Sequence, residues 1–210
     1  MAGEAQQDYP PLPFFVDDVG GDLHNTSEAS YILPYHYSRM VETNLDIHHT
    51  PFVHGSVVPV GTRTELFDVG INDNHIYTRG ELRRENAESG QGLAFRAELK
   101  LPCVSFIQLT PKLHILAAAT PVDDTNTWMW FRYYQHYTQI PGLRKLVAWL
   151  SVQSELRVVQ RQDWEIFGAM QAGTIDDVPY RFVQADRGIM MYRKKRRELL
   201  AAQAPYAKAS

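Results

Sequence analysis

The sequence predicts an α+β fold, in which an antiparallel β-sheet meander has one long helix packed across it. Three observations support this prediction. The segment 93–101 alternates apolar and polar residues with a period of two, as a half-buried strand does. Further strand-like segments follow one another with only short turn-like stretches between them, which favours antiparallel neighbours. A helical pattern then runs from Leu143 to about Met170.

The elements are predicted in the following order along the chain. Residues 1–30 are rich in Pro, Gly, Asp and Ser and are expected to form an extended lead-in. A helix is predicted from Tyr37 to about His49, with Pro51 ending or kinking it. After the strands and the long helix, a second helix covers roughly 185–202 and a tail covers 203–210, so the predicted domain is 31–202. The predicted strands are 57–69, 75–84, 93–101, 104–109, 113–120 and 128–137.

On two of these strands, the residue types on one face allow a prediction of what that face contacts. In the segment 93–101, the odd-numbered residues from Leu93 to Leu101 are expected to be buried, and Arg96, Glu98 and Lys100 are expected to be exposed. The last strand carries several aromatic rings on one face, which would either line an apolar pocket or pack in the core. These side chains are Trp128, Trp130, Tyr134 and His136.

The composition is that of an ordinary globular protein and excludes several classes of function. The 210 residues suit one domain, and a net charge of −3 gives no reason to expect nucleic acid as a partner. No apolar run is long enough to span a bilayer and the first residues do not resemble a signal peptide, so a cytoplasmic location is expected. The single cysteine, Cys103, cannot form an internal disulfide, a cysteine-rich zinc site or a self-contained iron–sulfur cluster.

Asp163 lies where a helix is expected to carry an apolar residue. At about 100° per residue it lies in the middle of an apolar stripe, while the charged residues of the helix fall on the opposite side. A carboxylate on a core-facing stripe needs a partner, because an unpaired buried charge is very costly. That partner would be a salt bridge, backbone amides or a metal ion, and this helix alone favours the first two. The stripe consists of Val152, Leu156, Val159, Ile166, Phe167 and Met170.

A cluster of histidines precedes the strands, where three of the eight histidines fall within seven residues. Asp46 and His49 are three residues apart and would share a helical face, so the Asp46 carboxylate can accept a hydrogen bond from the His49 ring. His49 and His54 are five apart, but Pro51 between them breaks the helix and lets both rings meet at one metal ion. His48 would lie on another side and is not a candidate ligand. The alternative is a solvated turn with incidental histidines.

Two histidines and one carboxylate form the facial triad of mononuclear non-haem iron(II) oxygenases, which leaves positions open for O2 and water. The candidate ligands are His49, His54 and Asp163. Zinc held by the same three residues is the competing prediction. Zinc hydrolases usually place their paired histidines one helical turn apart with a glutamate as base, and the chain has no His-Glu-x-x-His. Glu42 would either support this site or be solvated.

The segment from Val41 to His54, VETNLDIHHTPFVH, resembles the iron-binding segment of Rieske-type non-haem iron oxygenases, the alpha subunits of ring-hydroxylating oxygenases. The segment 160–166, QRQDWEI, resembles the helix that provides their third ligand, and 186–193 resembles the end of such chains. The similarity runs from about 31 to 200. The family often has Asn directly after the Glu of its motif, where this chain has Thr43.

The resemblance implies a role for each candidate residue. His49, His54 and Asp163 match the iron ligands. Asp46 matches the acid that carries electrons and protons between a ligand histidine and a Rieske cluster, which in the family usually belongs to a neighbouring subunit. The implied fold is the helix-grip, Bet v 1-like catalytic domain. The implied reactions are O2-dependent hydroxylation, dihydroxylation, demethylation or desaturation of apolar substrates, and the family expectation is a homotrimer.

One departure from the family concerns the electron supply. A Rieske cluster needs two Cys and two His, and this chain has one Cys, so electrons are expected from a separate Rieske or ferredoxin-type donor. The leading hypothesis is therefore the catalytic component of an oxygenase with Fe(II), O2 and a hydrophobic small-molecule substrate. The alternative is a non-catalytic helix-grip protein that binds a hydrophobic ligand and has a vestigial metal site. A zinc hydrolase is the third hypothesis.

Overall fold

The computed structural model describes residues 15–19, 23–56, 58, 61–169, 174–177 and 181–207. Its strands are β1 Thr26–Leu33, β2 Thr62–Asn72, β3 His75–Arg84, β4 Leu93–Lys100, β5 Val104–Thr110, β6 Leu113–Pro121 and β7 Thr127–Gln135. They form one seven-stranded antiparallel sheet in the order β1-β7-β6-β5-β4-β3-β2, a meander from β2 to β7 with β1 added beside the last strand. A long helical run packs against β1 and β7. The predicted α+β fold class is confirmed.

The helices are α1 Val16–Val19, α2 Tyr37–Leu45, α3 Thr50–Val53, α4 Leu143–Ser154, α5 Gln160–Ala169 and α6 Arg187–Ala207. A π-helical segment, Glu155–Val159, joins α4 to α5, so that these three form one continuous run. This run begins at Leu143 as predicted, and its predicted end, Met170, lies outside the described residues. In the ranges that the structure describes, no helix is both long and apolar enough to cross a membrane.

The first strand lies partly within the predicted lead-in. β1 begins at Thr26 and pairs along its whole length with β7, from Thr26 opposite Tyr134 to Leu33 opposite Thr127. Leu33 is the buried residue of this strand, and the others are partly or fully exposed at the edge of the sheet. A polar edge strand lacks the apolar alternation by which strands are predicted. Residues 26–30 of the predicted lead-in therefore belong to the sheet, residues 16–19 form the short helix α1, and residues 1–14 lie outside the described ranges.

Strand β4, the most clearly predicted strand, is buried more completely than its alternation indicates. Its odd-numbered residues from Phe95 to Leu99 are buried as predicted, whereas Leu93, expected to be buried, is exposed. Glu98, expected to be exposed, is only 1% exposed. Its carboxylate accepts a hydrogen bond from Arg96 Nε at 2.8 Å, and this pairing compensates for the burial of its charge.

The segment around Pro51 also differs from the prediction. α2 ends at Leu45, earlier than the predicted end near His49, and Pro51 lies in the first turn of α3 rather than after a helix. Proline fits the first turn because the N–H that it lacks would have no acceptor there. As a result His49 and His54 lie at the two ends of one short helix.

The sheet has a different apolar cluster on each face. The larger cluster lies between the sheet and the helices and includes Phe131 and Tyr133 of β7. On the other face Phe15 packs against Phe106 and Tyr134. A cavity of about 610 Å³ remains between the sheet and the helical run, and it is this space that positions the candidate site.

Candidate metal centre

Three side chains from two distant parts of the sequence meet at the wall of this cavity. His49 Nε2 lies 3.2 Å from His54 Nε2. Asp163 Oδ1 lies 3.3 Å from His54 Nε2 and 3.9 Å from His49 Nε2. The histidines come from the two ends of α3, and Asp163 comes from α5. The structure therefore brings together the three residues that the sequence identifies as candidate ligands.

The hydrogen bonds of the two histidines determine which ring nitrogen carries the proton. His49 Nδ1 donates to the backbone carbonyl of Asp46, which can only accept. His54 Nδ1 lies 2.9 Å from the amide oxygen of Gln162 and donates to it. In neutral rings both Nε2 atoms therefore carry a lone pair and no hydrogen. In that neutral state the two lone pairs and the carboxylate of Asp163 face one another, as the ligands of a metal ion do.

Gln162 is itself held in place by a second hydrogen bond. Its amide nitrogen donates to Ser56 Oγ at 2.9 Å, so its amide oxygen is left for the His54 ring. The sequence analysis does not identify Gln162, although it directly precedes Asp163 in α5. The only signal for it is that position beside a candidate ligand.

Asp46 contacts His49 through its backbone rather than through its side chain. The predicted hydrogen bond from the His49 ring to the carboxylate is wrong, because Asp46 Oδ2 lies 3.9 Å from His49 Nδ1. The other carboxylate oxygen, Oδ1, accepts from the backbone N–H of His48 at 3.0 Å. The prediction assumed a helix through His49, but α2 ends at Leu45 and the backbone of Asp46 is extended.

Asp46 also borders a second cavity of about 190 Å³, whose lining includes Arg39, Glu42 and Arg193. Glu42 is half-buried and accepts from Arg193 NH2 at 3.1 Å, which links α2 to α6. Burial raises the pKa of Glu42 more than the neighbouring arginines lower it. Glu42 therefore forms an ion pair beside Asp46, and does not contact the histidine cluster.

Asp163 attracts positive charge to the cluster. Burial lowers the pKa of His54, but the hydrogen bonds and charge of Asp163, together with Gln162, outweigh burial and the net shift is upward. A metal ligand must lose its proton before it binds. A metal ion and a proton therefore compete for His54.

The donor atoms and their spacing fit one divalent metal ion. Ligand atoms about 2.1 Å from a metal and at right angles to one another lie roughly 3 Å apart. The two shorter separations in the cluster, 3.2 and 3.3 Å, are close to this value. Two imidazoles and one carboxylate are the donor set of the iron(II) facial triad. Among the residues that the structure describes, no other group of three His, Cys, Asp or Glu side chains has comparable spacing.

The cavity beside the cluster has a size and lining suited to a small organic molecule. Of the last strand, the residues that line it are Met129, Phe131 and Tyr133. The aromatic face considered in the sequence, with Trp130 and Tyr134, is on the other side of β7, and Tyr134 packs there with Phe15. Of the two interpretations of that face, packing holds for Trp130 and Tyr134, while Trp128 and His136 are exposed. Apolar residues of the neighbouring strands complete the wall: Ile107, Leu109, Leu113, Ile115 and Ala117.

Glu155 and Tyr133 are polar residues of the cavity that the sequence analysis does not identify. The Tyr133 hydroxyl donates to Glu155 Oε2 at 2.6 Å. Burial raises the pKa of Glu155 to about 7, although this hydrogen bond opposes the shift. At about 100° per residue, Glu155 would lie some 80° away from Asp163 around the helix, so it is not in the stripe that drew attention to Asp163.

No family model matches the chain, and no curated protein matches it. Solved structures of oxygenases match its fold. The fluorene-bound oxygenase of a carbazole 1,9a-dioxygenase–ferredoxin complex matches with a TM-score of 0.60 and 15% identity over 89% of this chain and 57% of its own. The NdmA QL mutant of Pseudomonas putida CBB5, solved with theobromine, has a TM-score of 0.60 and 16% identity over 86% of this chain and 52% of its own. Dicamba monooxygenase bound to 3,6-dichlorosalicylic acid matches with a TM-score of 0.57 and 14% identity. The match covers 85% of this chain and 60% of the monooxygenase chain.

The chain thus spans between about half and three fifths of the length of these oxygenases. At this level of identity the likeness concerns the fold. It agrees with the resemblance of the histidine and aspartate segments to that family. The chain has the fold of the catalytic domains of Rieske-type non-haem iron oxygenases.

Proposed function

We propose that this chain is the catalytic component of an O2-dependent oxygenase that holds one iron(II) ion between His49, His54 and Asp163. Iron(II) in such a site activates O2 for the oxidation of an organic substrate. The observation that carries the proposal is the convergence of His49 Nε2, His54 Nε2 and an Asp163 carboxylate oxygen to within 3.9 Å of one another. The shared fold and the adjoining apolar cavity support it.

Each neighbouring residue has a defined task in this proposal. The carbonyl of Asp46 and the amide of Gln162 hold the two imidazoles in the orientation that binds metal. Asp163 supplies negative charge in a buried setting, where its attraction for a cation is weakly screened. The sheet wall holds an aromatic or alicyclic substrate by apolar contact and keeps water from the reacting carbon. The reaction is a hydroxylation, demethylation or desaturation.

Electrons come from a Rieske [2Fe-2S] centre outside these 210 residues, and Asp46 is the residue through which they enter. Asp46 contacts His49 through its carbonyl and also borders the second cavity, so it connects the cluster to a separate region of the protein. The carbazole oxygenase with this fold was solved in complex with a ferredoxin. A donor of the same kind is proposed here, together with the homotrimeric arrangement that brings such a centre to the acid of a neighbouring subunit.

Metal analysis tests the proposal directly. Protein loaded with Fe(II) without oxygen and then desalted is expected to retain about one iron per chain. His49→Ala and Asp163→Ala are expected to lose it, because two ligands hold a divalent ion much more weakly than three. His48→Ala is the matched control, since His48 is adjacent in sequence but outside the cluster, and it is expected to retain its iron.

The other outcomes of this experiment favour other functions. Folded wild-type protein that binds no metal would contradict the oxygenase and support a helix-grip protein that binds a hydrophobic ligand. Zinc retained in preference to iron in protein isolated from cells would support a hydrolase. Iron lost equally in the His48→Ala control would mean that the cluster is not the binding site.

A further inference from the structure

Glu155 is a carboxyl group of the cavity that the proposed metal centre does not use. Among the described residues that line the cavity, the carboxylates are Asp163, which belongs to the histidine cluster, and Glu155. The two lie on the same helical run, Glu155 at the start of the π segment and Asp163 in α5. The cavity wall as a whole is mostly apolar, so the Glu155 carboxyl group is one of the few places on it where a charged group of a ligand could bind.

Of the two carboxyl oxygens of Glu155, one has a hydrogen-bond partner among the described residues. Oε2 accepts from the Tyr133 hydroxyl at 2.6 Å, and within the described ranges no residue hydrogen bonds to Oε1. No arginine or lysine of those ranges forms an ion pair with Glu155 either, and the buried Arg83 of the cavity wall is paired with Glu81 and Glu65. Glu155 is half-buried and lines the mostly apolar cavity, where the attraction of its carboxylate for a cation is less screened than in bulk water. This group is therefore available to a positively charged or hydrogen-bonding ligand.

The π-helical segment turns Glu155 towards the same side as Asp163. In a regular α-helix, two residues eight positions apart are about 80° apart around the axis. The wider turns of a π-helix rotate less per residue, so the segment Glu155–Val159 reduces that offset. Such π segments are frequent at functional sites. Both carboxyl groups line one cavity as a result.

The walls beside Glu155 are aromatic as well as apolar. The rings of Tyr31 and Phe131 lie 6.0 Å apart, and those of Phe131 and Tyr133 also lie 6.0 Å apart, and all three residues line the cavity. The negatively polarised face of an aromatic ring attracts an organic cation. A carboxylate that lies beside three such rings is a combination suited to an ammonium group.

We propose that the cavity binds an apolar molecule that carries one protonated amine, with the nitrogen on Glu155 and the hydrocarbon body extending to His49, His54 and Asp163. The Tyr133 hydroxyl orients the carboxylate, and the free Oε1 accepts from the ammonium group. This inference names the substrate class of the proposed oxygenase and rests on that function for the reaction. The binding itself requires neither iron nor O2.

Three probes of similar shape test the proposal. Naphthylethylamine is a cation, naphthylethanol is a neutral hydrogen-bond donor, and propylnaphthalene is a hydrocarbon. Their dissociation constants are measured by calorimetry on metal-free and on iron-loaded protein, above the pKa of Glu155. The amine is expected to bind at least about tenfold more tightly than either neutral probe, as one charge-assisted hydrogen bond would give. Glu155→Gln is expected to reduce this preference to less than about threefold, and Glu165→Gln, an exposed glutamate of α5, is expected to keep it.

Two results would overturn the proposal: neutral probes that bind wild-type protein as tightly as the amine does, or an amine preference that survives in Glu155→Gln. If Glu155→Gln does not fold, Glu155→Met provides an uncharged side chain of similar length for the same comparison. An amine preference that is retained in protein unable to bind iron would contradict the proposed oxygenase alone. Normal iron binding without amine preference would contradict only the assignment of Glu155.

Discussion

At the scale of single residues, the chemistry of the site depends on where each imidazole keeps its proton. His49 donates to the carbonyl of Asp46, a backbone group that no side-chain substitution removes. His54 donates to Gln162, a side-chain amide, which is held in turn by Ser56. The orientation and tautomer of His54 are therefore the more sensitive of the two to mutation.

Gln162→Leu is expected to weaken iron binding by about 10–100-fold, the usual cost of removing a residue that orients a metal-bound histidine. The leucine leaves His54 Nδ1 without an acceptor, so the ring can rotate or move its proton to Nε2. The measurement is a competition titration with a chelator. Arg161→Leu, an exposed neighbour on the same helix, is the control and is expected to bind iron like the wild type. Equal affinity in both variants would show that Gln162 does not orient His54.

Asp46→Asn is expected to leave iron binding intact and to slow donor-dependent turnover by about 10–100-fold. Asparagine keeps an oxygen for the His48 N–H and leaves the backbone carbonyl on His49 unchanged, so the cluster should keep its geometry. It removes the negative charge through which we propose that electron entry is coupled to protons. Iron content and donor-dependent turnover rate are measured on the same sample. An unchanged rate would exclude the Asp46 carboxylate from the electron path and leave only its backbone carbonyl.

The candidate ligands could be predicted from sequence because each breaks a pattern. Asp163 interrupts an apolar stripe, and His49 and His54 are crowded beside a proline. Glu155 and Gln162 break no pattern. The position of Glu155 depends on a π segment, and the role of Gln162 depends on a contact with His54, 108 residues away in the sequence. Neither the π segment nor the contact between Gln162 and His54 can be predicted from regular helical spacing.

At the scale of elements, the best predictions are those for strands with alternating burial or flanking turns. β3 was predicted with its observed ends, and β5 and β6 within one residue at each end. The errors occur where an element depends on tertiary contacts. β1 is polar and is recognised only through its pairing with β7, and Glu98 in β4 is buried because cations from two strands surround it. Such partners cannot be assigned before the register of the strands is known.

The burial of Glu98 makes β3 and β4 sensitive to acid. Burial raises the pKa of Glu98, but hydrogen bonds and charges from Arg96, Arg79 and His75 outweigh it, so the pKa lies below its ordinary value of 4.5. A lowered pKa in the folded state stabilises the protein above pH 4.5, and this stabilisation is lost as the pH falls through the folded-state pKa. Glu98→Gln is expected to cost about 1–3 kcal/mol of unfolding free energy at neutral pH, since it removes the buried charge that accepts hydrogen bonds from the partly exposed Arg96 and Arg79.

The prediction concerns how this cost varies with pH. The difference in unfolding free energy between the wild type and Glu98→Gln is measured by urea denaturation from neutral pH to about pH 3. It is expected to shrink as the pH falls below 4.5, because protons then bind the unfolded wild type more readily than the folded wild type. Glu85→Gln, an exposed glutamate after β3, is the control and is expected to show almost no difference at any pH. A cost for Glu98→Gln that does not vary with pH would contradict the ion-pair explanation.

At the scale of the whole molecule, the sheet separates a face that holds the site from a face that only stabilises the fold. Successive residues of a strand lie on opposite faces. In β5, Ile107 lines the cavity while its neighbour Phe106 packs with Phe15 on the other side. In β6, Ile115 and Leu116 divide in the same way. Stability and metal binding should therefore respond to different substitutions.

Phe15→Ala tests this separation. Phe15 is 1% exposed, stacks on Phe106 with ring centroids 5.4 Å apart, and has Lys100 Nζ 4.5 Å from its ring centroid. Its truncation is expected to lower the free energy of unfolding by about 3–5 kcal/mol, through lost apolar burial and the space left behind. Iron affinity should stay within about twofold of the wild type, because additivity holds for distant, independent sites.

Phe131→Ala is the matched comparison: it removes the same atoms from the cavity face, so it should destabilise the fold and also weaken the binding of aromatic probes. Both quantities are measured on each variant by urea denaturation and by ligand titration. Weaker binding of iron or aromatic probes in folded Phe15→Ala would mean that the sheet transmits changes between its faces, and the two-face description would then be wrong.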